Sequence, residues 1–313
     1  MIWLTWRQFR AQAIATGCIL AVFAILLLVT GLSLAHLYDQ SGLPGCTAHH
    51  DCAQSLSGFT AQLRGSTYQF VFYIGIALTY LAPALMGAFW GAPLIAHEFE
   101  TGTFRLAWTQ SISRNRWLIM KVSLVGLVAM VAAGLLSLML SWWIAPVYKA
   151  ASYAPARSSL SFSRLTPYVF GVNGITPIGY AAFAFALGLT AGVLLRRTVP
   201  AMAVTLGGFA VIQVVWPLLI RPHLITPVRS LLPLAASAIG GLRISQGNQL
   251  TVFPQVDKPD SWVISDQALT SAGHPFVGHA TQACLSGSQQ ACDAWLNAQH
   301  LRQLVLYQPA SRY

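Results

Sequence analysis

The chain has 313 residues, of which 55% are hydrophobic and only 8% charged, with a formal net charge of +10 and a mean hydropathy of +0.59. Soluble domains carry about 25% charged residues, so the composition excludes a water-soluble globular protein. It also argues against a nucleic-acid partner: the 18 basic residues are scattered through connections and form no basic stripe interleaved with aromatics.

Several apolar runs reach the roughly 20 residues that a helix needs to cross a hydrocarbon core of about 30 Å. Transmembrane strands would instead be short and alternating. The expected fold class is an all-α polytopic membrane bundle.

In chain order, the first element is MIWLTWRQFRAQ, residues 1–12. Its Trp3, Trp6, Arg7 and Arg10 suit a helix lying in the membrane interface. Residues 13–37 follow as a first span, longer than the 7 to 15 residues of a signal-peptide core and retained on that ground. Four further spans are expected at about 69–95, 117–145, 174–195 and 199–220. The connection 38–68 is polar and holds Cys46 and Cys52; 96–116 is charged; 146–173 is rich in Ser and Pro; 196–198 is a bare Arg-Arg-Thr turn.

Basic residues near span ends favour the cytoplasmic side. Eight of them (Arg7, Arg10, Arg105, Arg114, Arg116, Lys121, Arg196, Arg197) fall on the N-terminal side of the membrane, against four (Arg64, Lys149, Arg157, Arg164) in the two other short connections. The N-terminus is therefore placed in the cytoplasm. Arg221 and Arg229, beside the fifth span on the outer side, count against this assignment. Cys46, Cys52, Cys284 and Cys292 all lie on the outer side, where an oxidising compartment lets thiols pair. Four cysteines allow three connectivities; the local pairs Cys46–Cys52 and Cys284–Cys292 are favoured because each closes a short loop. Cys18 sits within a span as a small apolar residue.

Residues 221–313 are polar and read as an external domain, and an odd number of spans leaves the C-terminus outside. A sixth span after residue 313 is expected.

The segment AHEFETGTFRLAWTQSISRNRWLIMK resembles the cytoplasmic connection between the second and third spans of type-2 ABC exporter permeases. The matching residues are Glu98, Glu100, Gly102, Thr103, Ser113, Arg114, Trp117 and Lys121, in that order. The resemblance extends to the layout of nearly the whole chain. It implies a helical bundle of the type-2 exporter kind in a bacterial plasma membrane. A coupling helix over 96–116 is implied to rest on a separate ATPase, with Glu98, Glu100, Gly102, Thr103, Phe104, Arg105, Trp108 and Arg114 as the coupling residues. Implied partners are two copies of an ABC ATP-binding subunit, carrying the ATP and Mg, and a second permease chain, all working in a lipid bilayer.

The residues themselves suit that role. Phe104, Ala107, Trp108 and Ile112 recur at helical spacing, and Gly102 and Ser113 are break points at either end. Glu98 and Glu100 are expected to meet arginines of the first helix or of the ATPase. The plainer alternative is that these are interface charges snorkelling at a span end.

No GxxxxGK[ST] stretch occurs, and the three lysines Lys121, Lys149 and Lys258 follow no glycine-rich turn, so no cofactor is expected in this chain. All eight acidic residues lie outside span interiors, which disfavours a proton- or sodium-driven carrier. Gln213 is a polar residue within a span, suited to touch substrate or, as the favoured alternative, to bond to a neighbouring helix. Gly87 with Gly91 and Gly188 with Gly192 form two GxxxG patterns, suited to helix packing either within one chain or between two. No metal site is expected: His49, His50 and Asp51 beside Cys46 and Cys52 match no trusted zinc spacing. Two rivals remain at this level. One is a membrane-anchored sensor or assembly protein whose external domain binds a ligand or partner; the other is a membrane enzyme using the external histidines.

Overall fold

A computed structural model describes residues 2–45, 52–102, 114–152, 167–245, 248–254, 256, 261–285 and 289–309. Five of its helices are long and apolar enough to cross a membrane: Phe9–Gln40, Thr67–Thr101, Leu118–Ala151, Thr176–Leu195 and Thr198–Leu224, hereafter spans 1 to 5.

Span 1 belongs to a single helix, α1 (Ile2–Gln40), with no break near residue 12. The N-terminal segment expected to form its own interfacial helix thus continues straight into the span. No glycine or proline occurs before Gly17 to interrupt it. The connection between spans 1 and 2 contains a helix, α2 (Ala53–Leu63), whose Leu56 and Phe59 are buried with Leu34 of span 1 and Leu140 and Trp143 of span 3.

Span 2 is built from α3 (Thr67–Met86), a π-helical stretch Gly87–Gly91 and α4 (Ala92–Thr101). Pro93 at the start of α4 has no N–H for the carbonyl of Phe89, a turn before it. That carbonyl instead faces the Gln12 amide of span 1 at 3.5 Å. Span 3 lies in α5 (Arg114–Ser152), α6 is the short Pro167–Phe170, and span 4 is α7 (Thr176–Leu195). Span 5 comprises α8 (Thr198–Val215), a second π-helical stretch Trp216–Ile220 and α9 (Arg221–Leu224).

Span 2 packs on span 4 almost backbone to backbone. A Cβ added at Gly87 would lie 2.4 Å from the Ala184 carbonyl oxygen, at Gly91 2.7 Å from that of Phe185, at Gly188 2.2 Å from that of Gly87, and at Gly192 2.6 Å from that of Ala92. The two GxxxG patterns therefore face each other inside one chain. Small residues on both sides permit this approach, and Gly87 and Gly91 are the two ends of the π-helical stretch.

The segment after span 5 overturns the all-α expectation. It folds as two three-stranded antiparallel sheets. The first has the order β1 (Val228–Pro233), β6 (Arg302–Pro309), β4 (Ser261–Leu269), with Arg229 opposite Leu306 and Asp266 opposite Val305. The second has the order β2 (Ile239–Ser245), β3 (Gln249–Pro254), β5 (Gly278–His279). Leu250 and Val252 point from β3 into a core shared with Leu296 of α11 (Gln289–Ala298) and with Leu234 and Leu301. α10 (Gln282–Leu285) is joined to α11 by the Cys284–Cys292 disulfide. Cys52 is also disulfide-bonded, Cys46 lies outside the described residues, and Cys18 is a free thiol.

Candidate functional site

The candidate site is the end of the bundle where span 2 leaves the membrane-length helices. α4 closes at Gly102, which adopts the left-handed conformation (φ 70°) that ends helices readily in glycine. Successive helical residues are about 100° apart, so Glu98 and Glu100 point to nearly opposite sides. Each reaches a different span.

Glu98 accepts a hydrogen bond from the Lys121 ammonium near the start of span 3 and forms an ion pair with it. The two side chains keep only 16% and 10% of their exposure, so the pair is shielded from solvent on most sides. Glu100 accepts from the Thr198 hydroxyl at 2.5 Å, at the first residue of α8. Between them, the Phe99 ring carries the Arg196 guanidinium at 5.7 Å from its centroid, within cation–π range. Arg196 ends span 4 in the left-handed conformation (φ 52°), and its N–H donates to the Gly192 carbonyl. Three consecutive residues of span 2 thereby tie spans 3, 4 and 5 together.

Within the chain, then, Glu98 meets Lys121, and Glu100, which stays exposed, meets Thr198. Phe99, Arg196 and Thr198 carry no expected site role, and Lys121 stands among the residues matching the resemblance without an expected partner. A lysine close to a span start was a usable signal, because an ammonium so near the hydrocarbon needs a counter-ion. Of the other expected coupling residues, Thr103, Phe104, Arg105 and Trp108 lie outside the described residues, and Arg114 opens α5. Gln213 does not form the expected interhelical bond: its amide nitrogen is buried without a hydrogen-bond partner among the described residues.

At the opposite end of span 5, Arg221 is buried between two rings, 4.5 Å from the Phe170 centroid and 4.4 Å from that of Trp262. Trp262 belongs to β4, so this guanidinium joins the span to the β-sheet domain. The Gln308 amide adds a second link, donating to the carbonyls of Pro222 at 3.2 Å and Ile225 at 2.5 Å.

Five membrane-length helices braced by polar contacts at one end define a polytopic helical membrane protein, with no nucleotide-binding loop of its own in the sequence. The chain belongs to the ABC-2 membrane transporter related family, which matches residues 17–221, and it is an ABC-2 type permease. Such permeases are generally the non-catalytic membrane subunits of ABC transporters, which have an ATP-binding partner. The match ends at Arg221, so the β-sheet domain lies beyond it. No curated protein and no solved structure matches the chain.

Proposed function

We propose that this chain is the membrane subunit of an ATP-driven exporter, moving a hydrophobic or amphipathic substrate such as a drug, lipid or peptide out of a bacterial cell by alternating access. In this reading the braced end and the N-terminus face the cytoplasm. Two copies of an ABC ATP-binding subunit, supplied with ATP and Mg, grip residues 96–116, and a second permease chain, identical or different, completes the pathway.

The observation that carries the reading is the cross-brace made by Glu98, Phe99 and Glu100. A push on the segment after Gly102 moves the pathway only if it is shared among several spans; a lone helix end would absorb it by bending. The ion pair to span 3 and the hydrogen bond to span 5 distribute the displacement. ATP-driven closure then favours one access state and hydrolysis releases it, as differential binding to two states requires.

The test uses the chain reconstituted with its co-purifying ATPase. Glu100→Ala and Arg105→Glu leave the protein folded and ATP hydrolysis active, while substrate efflux per ATP falls. Undiminished export in both variants overturns the coupling role. Purification of the native complex without a subunit carrying a phosphate-binding GxxxxGK[ST] loop overturns the exporter reading itself.

A further inference from the structure

At the other end of span 2, roughly 50 Å from Glu100 by the helix rise over its 35 residues, the chain forms a half-open cavity of about 470 Å³. The volume lies within the 300–1,000 Å³ of small-molecule sites. Its walls come from α2, the start of α3, the end of α5 and α6. Trp143 and Ile144 form a buried floor, and Phe72 and Val147 continue the apolar lining. Polar groups gather at α2 and the α2–α3 turn, with Arg64 the one charged residue lining the cavity among the described residues. Arg64 is exposed, follows the last residue of α2, and makes no ion pair among the described residues.

Three facts constrain the occupant. First, the cavity straddles the start of a membrane span, and its tyrosines, Tyr68, Tyr73 and Tyr148, are of the kind that mark headgroup depth. Second, the cavity is half open, and Tyr73 in its wall is 59% exposed. Third, its polarity among the described residues is graded from an apolar floor to the Arg64 guanidinium, the mirror image of an anionic amphiphile. A guanidinium matches a phosphate by parallel N–H donors.

We infer that this cavity is a binding site for an anionic phospholipid, one acyl chain lying over Trp143 and Ile144 and its phosphate on Arg64. The site is far from the cross-brace and independent of the transport reading. Lipid seated there fastens α2 and span 2 to span 3 from the side, across the groove between them.

The full chain in nanodiscs is exposed to phosphatidylglycerol or phosphatidylcholine probes bearing a photoactivatable acyl chain, and adducts are mapped by peptide mass spectrometry. Labelling falls on the cavity segments of α3 and α5, about five-fold stronger for phosphatidylglycerol, the ratio that one basic residue near an anionic headgroup layer supplies. Arg64→Gln equalises the two probes without abolishing labelling. Ile76→Trp, which fills the cavity, abolishes labelling by both, and Ala151→Phe does the same should the first variant fail to fold. Excess inorganic phosphate leaves labelling unchanged.

Equal labelling by the two lipids in the unaltered chain means ordinary annular contact and overturns the site. So does labelling that survives the filling variants, competition by inorganic phosphate, or crosslinks showing a second copy of the chain in the groove.

Discussion

The Glu98–Lys121 pair gives a quantitative test of how the braced end is held. Breaking an exposed ion pair costs about 0–1 kcal/mol, whereas removing one partner from a buried pair costs about 3–5 kcal/mol because the survivor is left uncompensated. The two side chains retain 16% and 10% exposure, near the buried limit without reaching it. Glu98→Leu and Lys121→Met are therefore each expected to cost about 2.5 kcal/mol, just under the buried range. In the double variant no lone charge remains, so its loss is about 2 kcal/mol rather than the sum, giving a coupling energy of about 3 kcal/mol, at the top of the range for contacting residues. Denaturation in mixed micelles, followed by tryptophan fluorescence, measures all three variants against the unaltered chain. Losses that simply add, or single losses below about 1 kcal/mol, refute the argument: the pair is then solvated and span 2 is not pinned to span 3 through it.

Three further outcomes follow from other parts of the fold. Gly188→Ala places a methyl 2.2 Å from the Gly87 carbonyl oxygen and is expected to cost about 1–3 kcal/mol, as overpacking does. Gly179→Ala in the same helix meets nothing within 4 Å and costs nothing in the same denaturation experiment. Arg221→Met removes both cation–π contacts, each worth about 0.5–2 kcal/mol, and hydrogen exchange in β4 and β6 should accelerate while exchange in span 3 does not. Partial desolvation raises the carboxyl of Asp266, an exposed residue of β4, above its ordinary value, so between its unfolded and folded pKa values the native state holds more protons and stability falls slightly as pH rises. Asp266→Asn removes that penalty. Its thermal midpoint should exceed that of the unaltered chain at neutral pH, with the gap closing on acidification, and a gap independent of pH excludes the desolvation argument.

The spans were legible because twenty apolar residues in a row admit few other fates, and their ends shifted only by a few residues. The destinations of Glu98 and Glu100 were not, since they depend on how span 2 is rotated against spans 3 and 5, which no local pattern records. The glycine pairs were visible as close-packing signals, but whether they faced each other or a second chain needed three dimensions.

The β-sheet domain was missed for a different reason. In β6 the buried positions include Gln303 and Gln308, 4% and 0% exposed and on opposite faces of the strand, which breaks the apolar alternation that marks a strand. β1 is largely exposed and carries no pattern at all. A usable signal did exist in QGNQLTVF. Gly-Asn ahead of alternating apolar residues announces a hairpin, and Asn248 takes the left-handed conformation there (φ 58°).

Span 5 is clamped at both ends, and its arrangement makes one last expectation worth arguing in full. Its first residue, Thr198, is held by Glu100; some 35 Å along, by the helix rise, Arg221 and the carbonyls of Pro222 and Ile225 are held by Trp262 and Gln308 of the sheet domain. Between these clamps it is the least buried of the five spans, and it packs along spans 2 and 4 through Ala201 and Phe209. A helix held at both ends and guided along one face carries displacement as a rod does, which on the exporter reading links the ATPase-facing end to the sheet domain. In the complex with its ATPase, a non-hydrolysable ATP analogue should then change hydrogen exchange in residues 261–269. Thr198→Val should abolish that change without altering exchange in the nucleotide-free state. An unchanged nucleotide response in Thr198→Val would show that the signal travels by another span, and no response in the unaltered complex would show that the sheet domain is a passive cap.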